Sequence, residues 1–97
     1  MSPTDLSTST AIVANSDCLS TTIDDESVIL HTEHGKYYGF NEVGTHIWQT
    51  VQEPHTIDEV CSDIVSVYDV DEEQCLTDVR ELVAELIELD LVHTAKE

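Results

Sequence analysis

Basic residues are almost missing from this sequence. Of its 97 residues only Lys36, Arg80 and Lys96 are Lys or Arg, against 21 Asp and Glu, so the formal net charge is −18. Proteins bind the phosphate backbone of nucleic acids largely through Lys and Arg, and anionic membrane surfaces attract the same cations. The charge therefore argues against nucleic acid and against an anionic membrane as partners.

Long apolar runs are also absent. No stretch approaches the roughly 18 apolar residues that a membrane helix needs, and the first five residues carry neither a basic region nor an apolar run, so we expect no secretory signal. The cysteines, Cys18, Cys61 and Cys75, form no C-x-x-C pair, and an odd number cannot all pair with one another. We interpret them as reduced, half-buried thiols of a cytoplasmic protein.

Motifs of catalysis and cofactor binding are missing too. The chain has no G-x-S-x-G, no H-E-x-x-H and no glycine-rich phosphate loop, which predicts a protein without enzymatic activity or cofactor. A Cys/His nucleophile pair stays open on the sequence alone. His31 and His34 could share a zinc ion with Cys18, but further ligands are not evident. We therefore interpret the two histidines as exposed turn residues and predict no metal site.

The length fits one small domain. Residues 1–10 are rich in Ser and Thr and predict a flexible tail, and residues 11–93 predict the folded domain. Because a domain of this size buries only a modest core, a groove or a strand edge is a more natural binding surface than a deep cavity.

A β-hairpin is the clearest local signal. Ser27–Thr32 is a run of β-branched and apolar residues, Glu33–Gly35 reads as a turn, and Lys36–Phe40 is an aromatic strand. A short apolar run at Ala11–Ala14 is another candidate strand, and Cys18–Glu26 is ambiguous.

Three helices are predicted after the hairpin. Asn41 is a suitable N-cap for the first helix, which Pro54 ends. Thr56 and Glu59 form a capping box for the second. Asp71 begins the third, whose apolar stripe is wider than one contact surface needs. A small sheet followed by three helices predicts an α+β, winged-helix-like fold.

The outer edge of the Lys36–Phe40 strand is the candidate binding surface. If this strand ends the sheet, an extended peptide can pair with its open backbone groups, and Gly39 would let a second backbone come close. The alternative is an edge covered by the third helix, and the residues alone do not decide. Arg80 has no acidic residue three or four positions away along the chain. Together with Lys36 it could hold an acidic side chain of the bound peptide, or both could simply be exposed cations.

Two segments resemble a known family. The run from Gly35 to Trp48, G-x-Y-Y-x-F-N-x-x-G-x-x-I-W, resembles the signature of PqqD-like proteins, also called peptide recognition elements. Three later pieces resemble the last helix of that family and the residues beside it. They are Tyr68–Asp71, the D-V-x-x-L-V-x-x-L run that begins at Asp78, and the Leu91-Val92 pair. The resemblance covers about residues 26–93. It implies a three-stranded antiparallel sheet with three helices, in which a leader peptide adds a strand to the third strand and the last helix forms the opposite wall.

The resemblance also implies a set of peptide-binding residues, some of which must belong to the core. Asp90 stands where many members carry Gly, so the C-cap of the last helix is expected to differ. On the strands the candidates are Val28, Leu30, Lys36, Tyr37, Tyr38, Gly39 and Phe40, and on the third helix they are Asp78, Val79, Arg80, Leu82, Val83 and Leu86.

Length and helix ending look most like the stand-alone leader-binding proteins of lasso-peptide pathways. That resemblance implies a non-catalytic adaptor whose partners are the leader of a precursor peptide, a separate transglutaminase-like cysteine protease and a ring-closing cyclase. The peptide chaperone of pyrroloquinoline quinone biosynthesis, which assists a radical enzyme, is the close alternative. An acidic winged-helix regulator or DNA mimic is another, and a dimer formed through the same strand edge is a third.

Overall fold

Two three-stranded antiparallel sheets and three helices make up the computed structural model, which describes residues 9–95. The predicted α+β class is confirmed, whereas residues 1–8 of the predicted tail lie outside the described residues. The strands are β1 (Ala11–Ala14), β2 (Cys18–Ile23), β3 (Glu26–His31), β4 (Lys36–Phe40), β5 (His55–Thr56) and β6 (Val92–Thr94), and the helices are α1 (Glu42–Thr50), α2 (Ile57–Val67) and α3 (Glu72–Glu88).

The predicted hairpin forms two strands of the first sheet, whose order is β2-β3-β4. Gly35 in the β3–β4 turn has a φ of +67°, which glycine adopts without strain. The ambiguous segment supplies β2. Its turn to β3 places Asp24 and Asp25 at φ of 51° and 69°, as in the type I′ turns where Asn-Gly is more usual. An Asp-Asp pair is a weak hairpin signal, which explains the ambiguity.

The second sheet has the strand order β5-β1-β6. The predicted strand Ala11–Ala14 is confirmed as its central strand. β5 has two residues and β6 has three, so neither is long enough to show an alternating pattern in the sequence. This sheet pairs the first strand of the described chain with the last one. The predicted order, with all strands before the three helices, therefore lacks β5 and β6.

All three helices begin where the capping residues predict. The side chains of Asn41, Thr56 and Asp71 each accept a hydrogen bond from the backbone N–H three residues later, at 2.9, 3.1 and 3.1 Å. The Glu59 carboxylate completes the capping box by accepting from the Thr56 backbone N–H at 2.9 Å.

One apolar core connects the sheets and the helices. It contains Ile12 of β1, Ile29 of β3, Trp48 of α1, Ile64 of α2 and Val83 of α3. α1 packs against β3 and β4, while α3 packs against α2 and β6. None of the helices between residues 9 and 95 has both the length and the apolar character that a membrane crossing requires.

Candidate peptide-binding site

β4 is an edge strand within the described part of the chain. It pairs with β3 over its full length and with no other strand of residues 9–95. Along an edge strand the outward N–H and C=O groups of alternate residues stay open for pairing. Alternation also places Tyr38 and Phe40 on the inner face, where both are half-buried against the core, and Tyr37 on the outer face, where it is 70% exposed.

An apolar cavity of about 270 Å³ opens between α1, the end of α2 and α3. Val43, three residues beyond the end of β4, stands at its α1 side, and Leu82 stands at its α3 side. Asp78 is the charged residue of the lining and accepts a hydrogen bond from Gln74 Nε2 at 2.9 Å. The full lining consists of Val43, Ile47, Ile64, Tyr68, Val70, Gln74, Cys75, Asp78, Val79 and Leu82.

Two of the predicted residues on α3 are core residues instead. Val83 is fully buried and Leu86 is 2% exposed, and both belong to the main apolar cluster. They lie on the side of α3 that packs into the fold, so a peptide could reach them only if the core opened. They are thus among the candidates that were expected to belong to the core. Val79 is also buried, at 3%, yet it forms part of the cavity floor.

Asp78, Val79 and Leu82 are the predicted helix residues that line the cavity, and Arg80 lies elsewhere. Asp78 and Leu82 are one helical turn apart and thus share a side of α3. Arg80 is two positions from each, which places it about 200° around the helix, and it is half-buried outside the cavity lining. Neither Lys36 nor Arg80 lines this cavity.

Val28 and Leu30 also lie away from the inner face. They belong to the central strand β3 and pair with Gly39 and Tyr37 of β4, so their side chains point from the outer face of the sheet. A strand added beside β4 would be separated from them by β4 itself. With neighbouring exposed residues they form an outer-face patch, which consists of Leu19, Ile23, Val28, Leu30 and Tyr37.

The cavity residues that lie outside α3 and β4 were not predicted from the sequence. Val43 is 38% exposed and Val70 is 45% exposed, and both border the cavity with Tyr68. Nothing in the sequence separated Val43 from the other apolar residues of the first helix. The signal for the other two was available, since both lie in the Tyr68–Asp71 segment that carries part of the family resemblance.

Neither Cys61 nor Cys18 has the lowered pKa of a nucleophilic thiol. Burial raises the pKa of the Cys61 thiol to about 12, with a hydrogen bond to Cys75 as the next cause. Burial and the nearby Asp90 carboxylate raise the pKa of Cys18. A nucleophilic cysteine needs the opposite shift. Cys61 and Cys75 are free and buried, more deeply than the predicted half-buried state, and Cys18 is free and half-buried.

One group of potential metal ligands occurs within residues 9–95, made of His31, His34 and Asp90. It lies at the β3–β4 turn and the end of α3, and none of its members lines the cavity. His31 is fully buried at the end of β3, so the interpretation of both histidines as exposed turn residues is wrong for His31. A hydrogen bond from His31 is the largest cause that lowers the pKa of the Asp90 carboxyl, and His34 and His93 add to it while partial burial opposes it.

The sequence matches one protein family. A family model described as coenzyme PQQ synthesis protein D (PqqD) covers residues 26–92, which is more than half of the chain. A search of curated proteins gives no match.

Several solved structures share the fold. TbiB1 in complex with the TbiA(beta) leader peptide is 29% identical, with a TM-score of 0.80 over 88% of this chain and 99% of that one. A lasso peptide synthetase B1 complexed with its leader peptide is 22% identical, with a TM-score of 0.74 over 84% and 96%. The PqqD truncation of Methylobacterium extorquens PqqCD, a stand-alone recognition element for ribosomally synthesised and modified peptides, is 17% identical, with a TM-score of 0.77 over 96% and 99%.

Proposed function

Since this chain belongs to the PqqD family, we propose that it is a non-catalytic protein that binds the leader segment of a ribosomal precursor peptide. The observation that carries the proposal is the open edge of β4 close to an apolar cavity. Two of the similar structures, those of TbiB1 and of a lasso peptide synthetase B1, are complexes with leader peptides. The domain that performs this role is residues 11–93.

The leader adds a strand along Lys36–Phe40. Main-chain hydrogen bonds supply affinity, while pockets beside the strand select side chains. Tyr38 and Phe40 already cover part of the core beside this edge, and a bulky apolar side chain of the leader enters the cavity between Val43 and Leu82. Asp78 at the same cavity favours a leader with a hydrogen-bond donor or a positive charge at that position.

Presentation to an enzyme is the second half of the proposed role. The adaptor raises the local concentration of substrate at a separate transglutaminase-like leader protease of a lasso-peptide pathway in the cytoplasm, from which a cyclase takes the peptide. The outer-face patch is the surface that we assign to the protease, because Leu19, Ile23 and Tyr37 are each more than 60% exposed. It shares β4 with the peptide edge yet lies on the opposite side of the sheet from the core.

Leader binding is tested by fluorescence anisotropy with Val43→Asp. The probes are the TbiA(beta) leader and the leader of a precursor peptide encoded in the same genome as this chain. Val43 lies in the first turn of α1, where an acidic residue suits the helix dipole, so the fold should persist. A charge in the apolar cavity should weaken binding by about tenfold or more.

Val67→Asp is the matched control, because Val67 is an exposed valine of α2 that does not line the cavity. It should bind the leader as the unmodified chain does. Equal losses in the two variants would contradict cavity insertion, and no saturable binding of either probe would contradict the proposed function.

Protease docking is tested separately by replacing Leu19 and Ile23 with Ser. Both belong to β2, so leader affinity should be unchanged. Leader cleavage by the proposed transglutaminase-like protease should fall, because the docking surface is lost while the substrate is still held. Cleavage at the normal rate would assign the protease to another surface.

A further inference from the structure

Three of the five histidines converge on one carboxylate at the end of α3. His31 Nε2 lies 3.1 Å and His34 Nε2 lies 3.5 Å from Asp90 Oδ2, and His93 Nδ1 lies 3.9 Å from Asp90 Oδ1. The ligand atoms of His31, His34 and Asp90 all fall within 4.8 Å of one another. These residues come from β3, the hairpin turn, the end of α3 and β6, so only the folded chain brings them together.

The Asp90 carboxylate is held in place by the backbone that carries it. α3 ends in a Schellman motif, in which the Asp90 N–H donates to Ile87 O at 3.0 Å and the Leu91 N–H donates to Leu86 O at 2.9 Å. The left-handed residue of such a motif is usually Gly, yet here it is Asp90 with φ of 63°. Asn15 Nδ2 donates to the Asp90 carbonyl at 2.8 Å and fixes the turn further. The backbone conformation favours glycine at this position, yet the residue there carries a carboxylate side chain.

We propose that His31, His34 and Asp90 bind a zinc ion, with His93 or a water molecule as the fourth ligand. In a tetrahedral site with bonds of about 2.0–2.1 Å, neighbouring ligand atoms are about 3.3 Å apart. The two separations from Asp90 Oδ2, 3.1 and 3.5 Å, lie on either side of that value. Two imidazoles favour zinc over magnesium or calcium, which prefer oxygen ligands throughout. The net charge of −18 adds a general attraction for cations.

Solvent access suits ion entry. The side chains of His34 and Asp90 are 49% and 42% exposed, whereas His31 is fully buried beneath them. An ion can therefore enter from the exposed side and meet His31 at the base of the site. His93, with a half-exposed side chain, can approach the ion from β6 by a side-chain rotation.

Zinc binding changes the hydrogen bonding of His31. His31 Nε2 lies 3.1 Å from Asp90 Oδ2 and 3.3 Å from Asn15 Nδ2, while His31 Nδ1 lies 3.3 Å from the His34 backbone nitrogen. Coordination of zinc by Nε2 would place the ring proton on Nδ1, where it would face the His34 N–H. The hairpin turn at His34 therefore has to shift when the ion binds, because two buried donors cannot share this contact.

The ion would link the β3–β4 hairpin turn to the end of α3, which are two elements of the proposed peptide site. The zinc proposal does not depend on leader binding, since no ligand residue lines the cavity. Zinc binding without leader binding, or the reverse, would separate the two proposals.

The test titrates Zn²⁺ and Co²⁺ into the full chain in the presence of excess Mg²⁺, which occupies exposed carboxylates. Isothermal calorimetry should give one zinc ion per chain, and bound cobalt should show the visible absorption bands of a tetrahedral site. His34→Ala and Asp90→Asn should each weaken binding at least about tenfold. His34 is exposed, and Asn tolerates left-handed backbone, so both variants should keep the circular dichroism spectrum of the unmodified chain.

His55→Ala is the control, since His55 lies on β5 outside the group. Its affinity for zinc should equal that of the unmodified chain. The proposal is overturned if the unmodified chain gives no tetrahedral cobalt spectrum, or if zinc binds His34→Ala and Asp90→Asn as tightly as it binds the His55→Ala control.

Discussion

The first sheet has two edges, and they differ in what lies beside them. β2 and β4 both pair with β3 alone among the described residues. Along β2, Ser20, Thr21 and Thr22 are exposed, whereas Tyr38 and Phe40 of β4 are half-buried against the core. β4 also leads directly to Val43 and the apolar cavity. An open ladder supplies hydrogen bonds at either edge, but of the two edges only β4 leads into an apolar cavity that can receive a peptide side chain.

The largest difference between the edges should come from proline. Of Tyr38→Pro and Gly39→Pro, one removes an N–H that points outward from the sheet and the other removes an N–H that bonds to β3. We expect the variant without the outward N–H to lower leader affinity by about tenfold or more, because main-chain bonds and close approach are both lost. The other variant removes a bond to β3 and should destabilise the hairpin. Anisotropy measures the affinity, and thermal unfolding identifies which variant keeps the fold.

Thr21→Pro on β2 is the matched change at the opposite edge. It should leave leader affinity within about twofold if the sheet stays folded. A loss as large as that of the β4 variant would mean that the two edges do not differ as proposed.

A smaller effect is expected from the two sides of α3. Leu82→Ala and Leu76→Ala each truncate a half-buried leucine, and each should lower the free energy of unfolding by about 1–3 kcal/mol. Only Leu82 lines the cavity, so only Leu82→Ala should also weaken leader binding, by about fivefold. Denaturant unfolding and anisotropy give the two numbers, and equal affinities would remove α3 from the site.

Asp78→Asn should have a weaker effect, about two- to threefold on leader affinity, because the charge lies at the exposed rim of the cavity. Glu81→Gln is the control, since Glu81 is exposed on α3 and does not line the cavity. The loss should vanish with a leader whose basic residues are replaced by Gln. A loss of the same size with that peptide would show that Asp78 acts through the fold instead.

Salt should change affinity least. Strand pairing and apolar burial are weakly screened, so a fivefold increase in salt above physiological strength should alter leader affinity by less than about threefold. An acidic protein that binds a basic partner through its net charge would lose affinity steeply. A steep salt dependence of leader affinity would therefore indicate that binding comes from the net charge of −18 and not from strand pairing at the β4 edge.

Local patterns predicted the parts of the fold that depend on neighbours in sequence. The hairpin, its Gly35 turn and the caps at Asn41, Thr56 and Asp71 involve residues only a few positions apart. Their hydrogen bonds are decided by short-range geometry, which residue types report directly. The candidate edge on Lys36–Phe40 followed from the same hairpin.

Features that depend on long-range contacts were not predictable in the same way. The second sheet pairs Ala14 with Val92, and the histidine cluster pairs His31 with Asp90, 59 residues apart. The amphipathic pattern of α3 could not separate Val83, in the core, from Leu82, at the cavity. Both are apolar neighbours, and the packing of α1 and α2 decides which side of the helix stays open.

Amide hydrogen exchange, with and without a leader peptide that binds in the anisotropy assay, compares the two edges directly. On leader binding, the outward amides of Lys36–Phe40 should become protected while those of Cys18–Ile23 keep their free exchange rates. Protection along β2, or saturated binding with no change along β4, would contradict strand addition at the β4 edge.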